Sequence, residues 1–318
     1  MEKKERKVIT RRALGAVLVV GAAVAFSVGV IVFPMWTSAI DRARRQQSAE
    51  PFRIVGNLYY VGGSDVTSFL LTGPEGHVLI DGGYAATASV TIASIATLGF
   101  DIKDVKVLLN SEPLFDHAGG LSALQEASGG ELWVSEASAE TLAAGGDNRD
   151  LFLPMRAFIW AGINRYPAPR IDHRFKDGAR IPLGPIELTA HITGGHSPGC
   201  TSWSFPVRDG DRELQVVRVC TLTRLPGTSL VEPQRYPGIR ADFERTFRVL
   251  RSLPVDIFLT GHAREFGRYR KFLERDTAKN PVDPFIDREG YLRYIDNAED
   301  TFRQELAEQQ QSFWRRFR

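Results

Sequence analysis

Three of the six histidines in this chain stand beside glycine at the ends of stretches that read as β-strands. They are His117 in Phe115-Asp116-His117-Ala118-Gly119-Gly120, His196 in Gly194-Gly195-His196-Ser197-Pro198-Gly199, and His262 in Thr260-Gly261-His262. Glycine lets a backbone turn sharply, and loops at strand ends are where a rigid scaffold presents functional groups. Asp116 and His117 set a hard carboxylate oxygen beside an imidazole. With His262 they make three protein ligands for zinc and leave a position open for water, the arrangement of hydrolytic zinc sites. Taken one at a time, each of these residues reads as an ordinary surface or core side chain, as do His77, His173 and His191.

Convergence of such loops needs strands that bring them to one edge. Phe52–Val61 reads as two short strands around a Gly56-Asn57 turn. Val66–Leu71 and His77–Ile80 follow, split by Gly73-Pro74-Glu75-Gly76, a strong turn signal. Helical spacing runs over Thr87–Leu98 and resumes over Gly120–Glu126, while Val105–Leu109 and Leu132–Val134 read as strands. The second half repeats the order. Ile186–Thr193, Thr201–Pro206 and Leu214–Cys220 alternate like antiparallel strands, Ala241–Ser252 is helical, and Val255–Leu259 leads into Thr260-Gly261-His262. Strands followed by helices, twice over, predict an α+β fold in which two packed sheets carry helices outside. Leu151–Tyr166 is apolar and aromatic with little pattern, either a helix over a site mouth or core. Tyr291, Ile295, Ala298, Phe302 and Leu306 recur at helical spacing and predict a C-terminal helix lying on the body.

Composition is that of a globular protein: 43% hydrophobic and 25% charged, which excludes a disordered or collagen-like chain. Net charge is +2, but six basic and two acidic residues fall within positions 1–12. Without positions 1–39, 34 of the 40 basic and 36 of the 38 acidic residues remain. The body is then slightly acidic, and no nucleic-acid partner is expected. The two cysteines, Cys200 and Cys220, are too few for a disulfide framework. They either pair after export or stay as small buried apolar residues.

From Ala13 to Ile40 no residue is charged, a run long enough to cross a bilayer, which takes about 20 apolar residues. The basic residues ahead of it suit a cytoplasmic flank. Thr10-Arg11-Arg12-Ala13-Leu14 is similar to a twin-arginine signal, and Thr37-Ser38-Ala39 offers small residues to a signal peptidase. Residues 1–40 are therefore expected to be a signal peptide or a single membrane anchor, contacting or crossing the inner membrane. Residues 41–50 read as a polar linker and 51–318 as the folded domain. Either way the domain is expected outside the cytoplasm, in the periplasm, free or anchored to the inner membrane.

Seven stretches, in order, resemble the third subclass of metallo-β-lactamases: PFRIVGNLYYVGGSDVTSFLL, GHVLIDGG, DVKVLLNS, FDHAGGLSALQ, GHSPGCTSW, RYPGIRADFERTF and FIDREGY. The resemblance runs from Pro51 to the neighbourhood of Gln309. It implies a four-layer αβ/βα sandwich, the metallo-β-lactamase fold, with a metal site at one edge. In that family the metal motif is H-x-H-x-D-H, followed by two distant histidines. Here Glu112-Pro113-Leu114-Phe115-Asp116-His117 keeps the D-H half, and His196 and His262 stand where the distant histidines do. Glu112 and Leu114 replace the two leading histidines.

The family pattern assigns one metal to the partners of Asp116, His117 and His262, all present here. The other belongs to the two leading histidines and His196. Leu114 has no electron pair to give, and Glu112 with His196 makes two ligands where zinc holds best with three or four. One well-held Zn2+ is expected, with a second weak or absent. Glu112 reads as an oxygen ligand, as a general base holding the attacking water, or as an unpaired carboxylate turned to solvent.

The resemblance implies a small-molecule substrate, a β-lactam, whose ring amide is hydrolysed by zinc-ionised water. Asp116 and Glu112 read as the candidate catalytic carboxylates, Glu112 on its own chemistry since it departs from the family motif, and the resemblance implies Thr221 and Thr223 as hydroxyls near the substrate carboxylate. Arg224, next to them, adds either a charge-assisted contact or only a surface charge. Asp81, in Leu79-Ile80-Asp81-Gly82-Gly83, matches a buried position behind the site and takes a supporting role. With one metal doing the work of two, hydrolysis is expected to be weak or narrow. The alternatives are a hydrolase of another ester, lactone or thioester on the same fold, and an exported homologue without catalysis.

Overall fold

A computed structural model describes residues 47–148, 153–162, 164–232 and 235–315. The expected signal or anchor (1–40) and most of the linker lie outside these residues. Among those described, no helix is long and apolar enough to cross a membrane. Gln47 and Ser48, read from the sequence as linker, are already held by the body. The Ser64 amide donates to the Gln47 carbonyl, and Ser48 bridges to Gly63.

Two sheets form the centre. In the first, β1 (Phe52–Val55), β2 (Leu58–Tyr60), β3 (Phe69–Gly73) and β4 (Gly76–Ile80) run antiparallel, and β5 (Val105–Leu109), β6 (Glu131–Ser135) and β7 (His173–Phe175) continue parallel to β4. In the second, β8 (Arg180–Leu183), β9 (Ile186–Ile192), β10 (Thr201–Asp209) and β11 (Arg212–Val219) are antiparallel neighbours, and β12 (Ile257–Thr260) joins β11 in parallel. The β1–β2 turn is set by Gly56, at φ +49°, where a Cβ would fall 2.2 Å from the Arg208 carbonyl oxygen of β10. Only glycine fits a turn that is both left-handed and pressed against another strand.

Strands β4 and β5 bury both faces. Val78, Ile80 and Leu109 point into the core between the sheets, together with Leu188, Trp203 and Val216. Leu79 and Leu108 point the other way, into a second core beneath α1 (Ala88–Thr97), α3 (Leu121–Ser128) and α4 (Glu136–Ala143), with Ile95, Leu124 and Leu142. The short α2 (Phe115–Ala118) precedes α3. Near-continuous apolar character is what a parallel strand covered on both faces requires. The segment α5 (Leu153–Trp160) is a helix with Leu153 and Trp160 turned outward and Ile159 buried.

Across the second sheet lie α6 (Ile239–Ser252) and α8 (Arg288–Arg315), while α7 (Arg268–Arg275) sets Lys271 over the Phe258 ring of β12 and Phe272 against Phe52 of β1. Phe243 and Phe247 of α6 meet Phe302 of α8 ring to ring. Tyr291, Ile295 and Phe302 are buried, and Ala298 and Leu306 pack beside them, as their spacing predicts. Burying one such ring contributes about 1.5–3 kcal/mol, enough to hold the helix to the body. The layers run helix, sheet, sheet, helix, the sandwich expected from the sequence. Strands β7 and β8 and helices α4 and α7 were not expected.

Candidate metal centre

Five chain segments that follow strands meet at one edge of the sandwich. They come after β4 (Asp81), β5 (Ser111–His117), β9 (Thr193–His196), β11 (Cys220–Thr223) and β12 (Gly261–His262). Asp116 and His117 sit in α2, whose first turn is closed by the His117 amide donating to the Leu114 carbonyl at 3.0 Å. Leu114 thus serves the site only through its backbone, as the helix cap.

Asp116, His117 and His262 come together as the spacing predicts, with ligand atoms all within 4.8 Å of one another. Asp116 Oδ2 is 3.7 Å from His117 Nε2 and 3.9 Å from His262 Nε2. These gaps are too long for hydrogen bonds. They span about the separation of two donors around one zinc, each roughly 2.0–2.2 Å from the ion. Asp116 Oδ1, His117 Nδ1 and His262 Nδ1 are buried without a hydrogen-bond partner. Buried polar atoms are nearly always paired. Those unpaired atoms lie on the other side of each group, and the converging Oδ2 and the two Nε2 atoms are at a spacing that fits a zinc ion.

Glu112 is not turned to solvent. It is fully buried, with Oε1 3.4 Å from His117 Nε2 and Oε2 3.3 Å from His196 Nε2. The Thr221 hydroxyl donates to Oε1 at 2.7 Å. Burial alone would push this carboxyl up, but His117, His196, the Arg218 guanidinium and the Thr221 hydroxyl outweigh it and bring its pKa down to about 2. His196 Nδ1–H donates to the Thr223 carbonyl, which turns Nε2 toward Glu112. The second ligand set therefore holds only Glu112 and His196.

The three residues expected at the substrate carboxylate behave differently. The Thr221 hydroxyl is committed to Glu112. Thr223 keeps an exposed side chain while its carbonyl holds His196. Arg224 donates from Nε to Glu305 of α8 at 2.8 Å and from Nη1 to the Leu225 and Thr228 carbonyls, so it ties its own loop to the C-terminal helix. Its contacts are structural, and a substrate contact has to compete with them.

Asp81 lies behind the site, as expected. It is fully buried at φ +63°, an uncommon conformation for a residue with a Cβ. Oδ1 accepts from the Ser111 amide at 2.7 Å, and Oδ2 from Arg218 Nη2 at 2.5 Å. Burial pushes its carboxyl up against the pull of Arg218 and His117.

Arg218 escaped the sequence reading. It is fully buried in β11, between the apolar Val217 and Val219. A lone arginine inside such a run was the available signal. Asp65 was missed as well: its Oδ2 lies 3.7 Å from His262 Nδ1. The His262 imidazole holds the Asp65 carboxyl below its usual range. Burial pushes His262 down, but Asp65, Glu265 and Asp116 together move it up. Gly261 is crowded, since a Cβ there would sit 2.7 Å from His117 Cε1 and 3.1 Å from Arg218 Nη2. Cys200 and Cys220 are joined as a disulfide, settling the choice left open by the sequence.

Residues 61–262 match the family model for the metallo-beta-lactamase superfamily. The chain belongs to the metallo-β-lactamase superfamily. Solved structures of this superfamily agree with it in fold. The FEZ-1 metallo-β-lactamase from Legionella gormanii is 33% identical, with a TM-score of 0.78 over 83% of this chain and 98% of that one. BJP-1, a subclass B3 metallo-β-lactamase of Bradyrhizobium japonicum, is 30% identical, with a TM-score of 0.74 over 85% and 98%. A metallo-β-lactamase from Cronobacter sakazakii with a HARLDQ motif is 33% identical, with a TM-score of 0.76 over 84% and 98%. Against this metallo-β-lactamase background, His77, His173 and His191 stay outside the site. His77 packs on Phe100, His173 pairs with Glu131, and His191 bonds the Ser204 hydroxyl.

Proposed function

We propose that this chain is an exported β-lactam hydrolase of reduced activity that holds a single metal ion through Asp116, His117 and His262. The observation that carries the reading is the convergence of those three donors within 4.8 Å, beside a second set in which Glu112 and Leu114 stand where the family has histidines. When bound, zinc supplies an ionised water at neutral pH and a positive charge for a carbonyl oxygen that is gaining electrons.

The chain's own residues do the rest. Asp116 keeps Oδ2 toward the two imidazoles, and in this reading its carboxylate takes a proton and hands it to the departing amide nitrogen. Glu112 holds His117 and His196 in fixed orientation from one carboxylate. Thr223, exposed and anchored by its carbonyl, is the hydroxyl left to meet a substrate carboxylate. The N-terminal apolar run supports export, and the disulfide suits an oxidising compartment.

Elemental analysis with a panel of penicillins and carbapenems tests the reading. About one zinc per chain and slow turnover are expected. Two zinc ions per chain would overturn the weakness assigned to the second set, and none would leave a non-catalytic homologue. Leu114→His, and then Glu112→His in addition, should raise both zinc content and hydrolysis stepwise. No rise in either variant means the altered ligand set is not what limits activity.

A further inference from the structure

His262 has a carboxylate on each side of its ring. Nε2 faces Asp116 Oδ2 across the metal centre. Nδ1 is buried without a hydrogen bond, and Asp65 Oδ2 lies 3.7 Å from it. A neutral imidazole carries one ring proton, so one nitrogen can offer its electron pair to a cation only while the other holds the proton. The hydrolysis proposed above gives Asp65 no part.

The backbone ties Asp65 to the segment that carries this histidine. The Ala263 amide donates to the Asp65 carbonyl at 2.7 Å, and Val66 bridges His262. Thr67 donates its amide to the Gly261 carbonyl at 3.0 Å and its hydroxyl to the Thr260 carbonyl at 2.7 Å. Residues 65–67 and 260–263 are zipped together, so the carboxylate reaches the ring from a backbone joined to it.

The neighbouring groups leave this role to Asp65. Glu265, which also acts on the His262 charge, accepts from the Tyr294 hydroxyl at 3.0 Å. Arg264 lies 3.8 Å from Asp65 Oδ1, on the oxygen that does not face the ring. His196 shows the same device with another acceptor, since the Thr223 carbonyl holds its Nδ1–H and turns Nε2 to the site.

We propose that Asp65 is the positioning residue of His262: its carboxylate keeps the ring proton on Nδ1 and so leaves the Nε2 electron pair to the metal centre. A carboxylate beside the outer nitrogen also makes an imidazole a stronger donor. The inference rests on His262 being a metal ligand, as proposed above, and not on which substrate is hydrolysed.

The test uses the full chain without substrate. Zinc affinity is measured by competition with a chromophoric chelator. The His262 ring nitrogens are followed by nitrogen NMR in the metal-free chain, with His262→Ala assigning the signals. Asp65→Ala should weaken zinc at least about tenfold and move the ring proton off Nδ1 in part of the population. Asp65→Asn, with the same shape and no charge, should weaken zinc in the same direction, and Asp65→Glu should restore much of the affinity. The urea midpoint of the metal-free chain should stay near that of wild type, because the ties at residue 65 are made by its backbone.

Wild-type zinc affinity and ring signals in both Asp65→Ala and Asp65→Asn overturn the inference and leave the hydrolase reading standing. Weaker zinc that follows a lowered urea midpoint, with the proton still on Nδ1, also overturns it. Weaker zinc with a displaced proton, in a chain whose wild type hydrolyses no β-lactam, upholds Asp65 and sinks the hydrolase reading. A wild-type chain that takes up no zinc overturns both.

Discussion

The metal edge has two halves of opposite character. In one, Asp116 stands 3.7 and 3.9 Å from the imidazoles of His117 and His262, too far to hydrogen-bond either. In the other, Glu112 has closed to 3.3 Å from His196 and taken a hydroxyl from Thr221, and Leu114 offers only a backbone carbonyl. Both halves hang on the same segment after β5. The contrast shows that the same edge holds one carboxylate apart from its imidazoles and buries the other against them, so the room left for an ion differs between the halves.

The comparison breaks most sharply at the histidines. His262→Ala should drop bound zinc from about one per chain to near zero, while His196→Ala should leave it unchanged, since only the first half is built to hold it. Elemental analysis reads both, and equal losses would erase the distinction between the halves. Arg218→Met comes next. It strands the buried Asp81 charge beneath both halves and should cost about 3–5 kcal/mol in urea unfolding.

Thr221→Val acts on the closed half alone. It leaves Glu112 without its hydroxyl donor and should cost about 1–3 kcal/mol by the same measurement, with zinc content unchanged. The smallest effect lies outside both halves, at Asp172. Burial pushes its carboxyl up, but Arg170 and the Leu132 amide outweigh this and hold it below its usual range. A pKa lowered in the folded state adds stability that is complete above the ordinary carboxylate range and is lost as pH falls through the lowered value. The stability gap between wild type and Asp172→Asn should therefore be constant at neutral pH and shrink below about pH 4. A gap that widens on acidification would reverse the assignment.

Much of this was legible because the signals were periodic or punctuated. Val105–Leu109 read as a strand with the bounds that β5 has. The Tyr291-to-Leu306 stripe marked α8. The Asp116-His117 pair and His262 announced the triad through loop glycines. What stayed hidden was carried by tertiary pairing. β7 is three residues long and β8 contains Pro182, so neither shows a strand period, and sheet neighbours hold both. α4, EASAETLA, is small and polar, and Ser135 caps it. The choice among three readings of Glu112 stayed open because nothing local reveals that His196 and Thr221 arrive from two other segments to enclose it beside His117. Arg218 is tolerable inside a sheet only because Asp81, 137 residues away in sequence, meets it.

The crowding at Gly261 limits how far descendants of this chain could diverge. On the proposed reading, side chains at 112 and 114 could be exchanged in either direction, restoring or abandoning the second ligand set. At 261 even one methyl group would press on the His117 ring and the Arg218 guanidinium together. An alanine there would damage ligand and foundation in a single step, so lineages free to rewrite their metal content should still share a hydrogen atom at that position.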